Sequence, residues 1–349
     1  MTVRNESPTG LQAAGPVKIP SFLRTVLSDM HHIEIISRLE GEHVEELAEL
    51  IAAATEADGH DPIGEHKFLH LRRGDDLAVG FLAYEGERLV GYAHTLTFRR
   101  GDERRVSCEI VVHPDCRRSG IGGALLTFVI RHAEAHKAVR LDLWAYNDSP
   151  ASRVMTKAFH LEPTRKLLHM HRHPGPPPVV ETPPELRIRP FRPGEDDERW
   201  LALNNRIFAE HPENGSWTLD DLHARMAEPW FCAEDLLMLE VEGELAGFCW
   251  VKVQERGDEG RIGEIYIIGT APEYHGRGLG RYLLGEALRH LSNRDVNACA
   301  VYVEQTNERA VALYWSYEFH HHHVDVLYSL SLPAEAREAT APATAHQHD

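Results

Sequence analysis

Cysteine is scarce. Five residues, Cys108, Cys116, Cys232, Cys249 and Cys299, stand among 349. The odd count and the lack of any Cys-x-x-Cys pair exclude a disulfide-built scaffold and point to a reducing compartment. Long apolar runs are missing too: no stretch approaches the roughly 20 residues of a membrane span. The opening MTVRNESPTGLQAAGPVKIP has no apolar signal core, so a cytoplasmic chain without membrane association is expected. Basic residues are in deficit. With 37 Lys and Arg against 54 Asp and Glu the formal net charge is −17, which disfavours nucleic acid and anionic membranes as partners and favours an amine-bearing substrate. The 24 histidines form no His-Glu-x-x-His or Cys/His pattern. Neighbours in the run His320–His323 point to opposite faces of a strand, so no metal site is expected there.

What remains is an ordinary globular composition, 42% hydrophobic and 26% charged, in a chain long enough for two domains. A polar extension broken by Gly and Pro covers residues 1–32 and is expected to be disordered at least to 20, and a tail rich in Ala, Thr and Glu covers 333–349. Between them the stretch HPGPPPVVETPPEL, residues 173–186, favours an extended polyproline linker. It separates blocks 33–172 and 187–332.

Both blocks repeat one order of elements. In the second, the patterns predict a strand at 186–190, a helix over 196–210, strands at 236–240 and 246–254 joined by a hairpin at Glu242-Gly243-Glu244, and a strand at 263–268. A Gly-rich loop then opens a helix to about 291, followed by a strand, a helix over 308–316 and a last strand at 324–332. The first block has a helix over 43–57, strands at 77–84, 89–98 and 106–112, a hairpin at Glu85-Gly86-Glu87, and a Gly-rich loop opening a helix to about 136. The loops align without gaps, Arg117-Arg118-Ser119-Gly120-Ile121-Gly122 over His275-Gly276-Arg277-Gly278-Leu279-Gly280. Such a turn offers free backbone N–H groups at a helix N-terminus, which suits a phosphate or pyrophosphate. Neither a dinucleotide-binding G-x-G-x-x-G unit nor a P-loop G-K-[ST] is present.

The element order and both loops resemble the GNAT family of acetyl-CoA-dependent N-acetyltransferases, whose loop signature is (Q/R)-x-x-G-x-(G/A). Residues 117–122 match fully, and 275–280 depart only at His275. The resemblance implies an α/β fold of two tandem GNAT domains, each a mixed, mostly antiparallel sheet flanked by helices. Four stretches of the second block, HPENGSW, GFCWVKV, GEIYIIG and YVE, are similar to those of the mycothiol synthases, a tandem branch of that family. This implies transfer of acetyl from acetyl-CoA, as co-substrate and without a metal, to the cysteinyl amine of desacetylmycothiol by a monomeric chain. A tandem GNAT enzyme acting on another amine, such as an aminoglycoside or a protein N-terminus, and a non-catalytic acetyl-CoA sensor are the alternatives.

Glu264, a carboxylate inside an apolar strand running into the loop, is the candidate base for the amine; its bland reading is a partner for a Lys or Arg. Tyr314 lies two helical turns after Asn307 on the same helix face. The resemblance makes Tyr314 the acid for the CoA thiolate and Asn307 a CoA contact; core packing is the plain alternative for the tyrosine. It also places CoA against Val111, Val112 and residues 117–122 in the first block, and against Ile268, Gly269, Thr270, residues 275–280, Arg281 and Ala310 in the second. Glu65, Glu213, Lys252, Glu264 and Tyr302 match acceptor-substrate positions. The first block is expected to bind acetyl-CoA without catalysing. Aligned through the loops, Glu264 falls opposite Val106, with Glu109 on the other face of a regular strand, a parity that a bulge would undo. Laying Asn147 over Asn307 puts Val154, which has no proton to donate, where Tyr314 stands.

Overall fold

The computed structural model describes residues 32–64, 77–178, 185–209, 215–256 and 260–333. They form two compact units, one of residues up to Arg165 together with those from Val326, the other of Lys166–Asp325. Among the described residues no helix is long and apolar enough to cross a membrane.

Unit 1 contains β1 (His32–Ile36), α1 (Glu42–Asp58), β2 (Ala78–Glu85), β3 (Arg88–Arg100), β4 (Glu103–Val112), α2 (Ile121–Ala135), β5 (Arg140–Ala145) and α3 (Pro150–Ala158), and the start of β6 (Glu162–Arg172). Strands β1 to β4 run antiparallel in chain order, and β5 joins β4 in parallel. Alternation sorts β3 and β4 into two faces. Tyr92 and Val111 face the α1 stripe of Leu47, Leu50 and Ala54, spaced for one side of a helix. On the other face a Cβ added to Gly91 would stand 2.7 Å from Ile121 Cγ2, so the glycine lets α2 approach the sheet.

Unit 2 repeats the plan with β7 (Leu186–Pro190), α4 (Asp197–Ile207), α5 (Leu219–Met226), β8 (Leu236–Val241), β9 (Glu244–Arg256), β10 (Gly260–Thr270), α6 (Leu279–Ser292), β11 (Ala298–Glu304) and α7 (Glu308–Trp315), and the first part of β12 (His320–Ser331). The β8–β9 turn, Glu242-Gly243, has positive φ at both residues, 52° and 89°, which matches the strand twist. One face of the sheet packs Cys249, Val251 and Ile265 against Leu283 and Leu284 of α6. The other packs Trp250, Phe248 and Ile267 with Trp200 of α4 and Leu222 of α5.

The units are not the two sequence blocks. Residues 167–172 of β6 pair antiparallel with β11, from Leu167↔Glu304 to Arg172↔Cys299, in unit 2. Residues 326–331 of β12 pair antiparallel with β5, from Val326↔Ala145 to Ser331↔Arg140, in unit 1. Each sheet is therefore completed by the last strand of the other block, and the expected boundaries at 172 and 187 are corrected. The Pro-rich stretch marks where the backbone leaves a ladder, but not which ladder the preceding strand has joined. Buried Arg172 secures this exit: its guanidinium donates to the carbonyls of Tyr317, His173, Gly175 and Pro176 at 2.9–3.1 Å.

His132 on α2 packs edge-on to Phe81 and beside His136. Burial, reinforced by His136, pulls its pKa down from 6.5 to about 4. Its unfolded form takes up a proton first on acidification, so the stability it permits at neutral pH is lost as pH falls from about 6.5 towards 4. His132→Gln is expected to flatten that part of the melting-temperature profile, and an unchanged acid slope would refute the assignment.

Candidate active site

The two parallel strand pairs separate at corresponding places. In unit 2 the β10–β11 ladder runs only from Ile262↔Ala298 to Ile265↔Val301. On its other edge β10 stays paired with β9 through Thr270↔Gly247, with a register shift between Ile265 and Ile267. That bulge bends β10 away at Tyr266. The β11-side edge of residues 267–270 is left with backbone N–H and C=O groups that can pair with an extended amide-bearing ligand. In unit 1 the β4–β5 ladder likewise stops at Cys108↔Leu143, while β4 stays on β3 to Val112↔Gly91 without a shift.

Each open edge leads into a Gly-rich turn. Gly276 and Gly278 have φ of 78° and 79°, and Arg118 and Gly120 have 61° and 94°. Left-handed residues in alternate positions turn successive N–H groups toward one side, forming an anion nest. The helices behind them are uncapped by design: neither α2 nor α6 has a side-chain cap or an acidic residue in its first turn. By contrast α1, α4 and α5 each begin with two acidic residues. The positive ends of α2 and α6 are thus left for an anion from outside the chain. A Cβ built on Gly276 or Gly278 would meet nothing within 4 Å, so the space beside the nest is open. These features fit the pyrophosphate of CoA.

The first loop position is a latch. Arg117 Nε donates to the carbonyl of Val112 at 3.2 Å, and its guanidinium pairs with both Asp58 oxygens at 2.7 Å. His275 Nε2 lies 3.0 Å from the carbonyl of Thr270, the corresponding strand end. Histidine for arginine therefore keeps the closure, and both side chains hold the turn. Other expected contacts also have internal work. Val111 is core, Arg277 stacks over Tyr274, the carbonyl of Arg281 accepts from Tyr317, and the N–H of Ala310 donates to Asn307 Oδ1 at the cap of α7.

The candidate base lies on the α4–α5 face. Glu264, 8% exposed, is register partner to Lys252 on β9 and Ala300 on β11. Tyr302 lies two positions beyond Ala300 on the same side. Lys252 is 4% exposed, with its ammonium 4.7 Å from the Trp230 ring centre and 5.8 Å from that of Tyr266. The register thus gathers Lys252, Glu264 and Tyr302 in an aromatic setting. Glu65 and Glu213 lie outside the described residues.

Tyr314 lies on the opposite face. It packs edge-on to Phe319 and belongs to the α6 core with Cys249 and Val251. Burial, and secondarily Cys249, push its phenol well above the ordinary tyrosine range, so it holds its proton at any working pH.

Unit 1 differs from unit 2, and in two respects from expectation. Because β10 carries an extra residue at its bulge, Ser107, partner of Asp142, takes the place of Glu264, partner of Ala300. Glu109 lies two positions on, hence on the same face and not the other. It is fully buried, accepts from Tyr146 Oη and from Gly64 N at 3.0 Å, and stands across from His94. Second, the counterpart of Tyr314 is Thr156 and not Val154. The Ser149 and Asn307 side chains cap α3 and α7, Leu161 N→Thr156 O matches Phe319 N→Tyr314 O, and positive φ recurs at His160 and Glu318. These pairs keep the spacing that relates Gly120 to Gly278, so Ser149 rather than Asn147 answers to Asn307. Val154 is 71% exposed, whereas the buried Thr156 hydroxyl donates to Ser152 O at 2.8 Å within its own helix.

Residues 44–160 and 198–319 match the Acetyltransferase (GNAT) family. The mycothiol acetyltransferase of Thermobispora bispora is 44% identical over 283 residues, covering 80% of this chain and 93% of its own. That of Acidothermus cellulolyticus is 39% identical over 320 residues, covering 87% and 96%. Among solved structures, the tandem GNAT protein from the clavulanic acid biosynthesis pathway has a TM-score of 0.66 at 17% identity, covering 88% of this chain and 100% of that one, a likeness of fold. With two open strand pairs, each leading into an anion nest, and a family match in both blocks, the chain belongs to the GNAT acetyltransferase family in its tandem form.

Proposed function

We propose that the chain is a mycothiol synthase, which moves the acetyl group of acetyl-CoA onto the cysteinyl amine of desacetylmycothiol and releases mycothiol and CoA. The observation that carries this reading is the 38–44% identity to mycothiol acetyltransferases across 80–87% of the chain. The thioester lies in the opening between β10 and β11, in the plane of the sheet, so side chains of both faces border it. From one side Glu264 takes the proton of the attacking amine. N–H groups of residues 268–270 hold the carbonyl oxygen as charge develops on it. The nitrogen–carbon bond forms, the carbon–sulfur bond breaks, and Tyr314 on the other side protonates the departing thiolate. Lys252 and Tyr302 orient the acceptor, with Glu65 and Glu213 as further contacts. Purified chain given acetyl-CoA and desacetylmycothiol is expected to yield a product acetylated at the amine by mass spectrometry. Faster turnover of an aminoglycoside or a peptide N-terminus would overturn the substrate.

Unit 1 holds acetyl-CoA without turning it over. Its nest and open edge correspond to those of unit 2, but Ser107 and Thr156 replace the base and the acid, and Glu109 is committed to Tyr146 and Gly64. Valine at Gly278 strains a left-handed residue by about 1–2 kcal/mol and fills the open space. Gly278→Val is expected to raise the KM for acetyl-CoA at least about 10-fold, while Gly120→Val removes one binding event in calorimetry. Turnover abolished by Gly120→Val instead would place the chemistry in unit 1.

A further inference from the structure

We propose that unit 2 carries a binding site for a divalent transition metal of the zinc class, formed by His169 of β6 with His322 and His323 of β12. The donor nitrogens of these three side chains lie within 4.8 Å of one another. Nδ1 of His323 is 3.1 Å from Nδ1 of His169 and 2.8 Å from Nδ1 of His322. Tetrahedral coordination with Zn–N bonds of about 2.0–2.1 Å separates ligand nitrogens by about 3.3–3.4 Å, so the two His323 separations open by a few tenths of an ångström as an ion enters, and rotation of the exposed His322 ring sets the third, which lies within 4.8 Å.

The expectation of no metal site at His320–His323 considered that run alone, and two features go beyond it. The third imidazole comes from another strand, and the rings of His322 and His323 turn toward each other, centroids 5.1 Å apart.

The surroundings match those of a ligand set. The Asp325 carboxylate, 2% exposed, lies 3.6 Å from His323 Nε2, a negative charge beside the imidazoles that favours a cation there, while an edge of the His323 ring faces His169, with Nε2 at 3.0 Å and Nδ1 at 3.1 Å from its Nδ1. His171 stacks on His322 at 4.0 Å and Tyr302 on His169 at 4.1 Å, with the latter ring planes nearly parallel at 6°. His169 is buried, His323 half-buried and His322 exposed. The cluster therefore has a dry wall and a wet side, through which the ion enters and a water completes the coordination. The ion would fix the imidazole on which Tyr302 lies.

The test uses the full chain stripped of metal with a chelator and titrated with Co²⁺, then with Zn²⁺ in competition. One equivalent of Co²⁺ with the intense visible absorption of a tetrahedral site, displaced by Zn²⁺, is expected. His323→Gln is expected to weaken Zn²⁺ binding at least about 10-fold. His169 is buried, so His322→Ala supplies a second variant at an exposed position, which loses ring contacts to the neighbouring histidines but no buried side chain. No stoichiometric binding, a weak octahedral cobalt spectrum, or an equivalent retained in both variants would each overturn the site and leave three hydrogen-bonded imidazoles.

Discussion

Glu264→Gln is expected to lower kcat at least about 10²-fold, the usual loss when a general base is removed, with acetyl-CoA affinity nearly unchanged. Glutamine keeps the volume and hydrogen-bonding capacity of the side chain and removes only its ability to take the amine proton. The position also has a structural claim, because Lys252, itself buried, stands directly across β9. Leaving a buried cation opposite a neutral amide costs stability, so activity must be read on folded protein. The two roles separate in a double variant. Because Lys252 also orients the acceptor, the double variant, Lys252→Met with Glu264→Gln, is compared with Lys252→Met alone. If Glu264 serves only as counter-charge the two have equal kcat, and if Glu264 is the base the double variant is at least about 10²-fold slower although its melting temperature returns.

Tyr314→Phe is expected to reduce kcat about 10²-fold, the low end for a general acid, because a thiolate leaves more readily than an alkoxide or amide. The ring still packs against Phe319 and the Cys249 side of the sheet, so the melting temperature should hold. Since burial raises the phenol above its ordinary range, the wild-type kcat should show no alkaline decline from this group up to its unperturbed value of about 10. A variant with full turnover on folded protein would make Tyr314 a core residue and nothing more.

Much of the site was legible because it depends on local chemistry. Left-handed positions select Gly276, Gly278 and Gly120, and a helix opening without acidic residues follows them, so the second nest is visible from residue type and the first through its alignment with it, its other left-handed position being Arg118. Helix α5 carried a signal too: Thr218 and Asp221 form a reciprocal cap, a Thr-x-x-Asp pattern that the expected elements did not include. The placement of Glu109 was not legible. One inserted residue, absorbed as a bulge at Tyr266, reverses the parity on which any face assignment rests. The counterpart of Tyr314 was misplaced by two positions because Asn147, with φ 49°, resembles Asn307 in type, whereas the cap is made by Ser149. The histidine cluster was hidden for a different reason: His169 is far from the run in sequence, and only strand pairing brings them together.

The exchanged final strands set the order in which the molecule can be made. As the chain leaves the ribosome, β1 to β5 emerge early, but the strand that covers the β5 edge is residues 326–331, synthesised long after them. Until then the β5 edge is open to a foreign strand, a hazard that grows with the time spent waiting. The residues that close unit 2, 167–172, are by contrast already present when β11 emerges. Residues 167–172 can therefore pair with β11 as soon as it emerges, whereas unit 1, although first in sequence, waits for residues 326–331. A chain stalled after β11 would carry that pairing, with the first part of β12 still missing from unit 2 and the β5 edge of unit 1 uncovered.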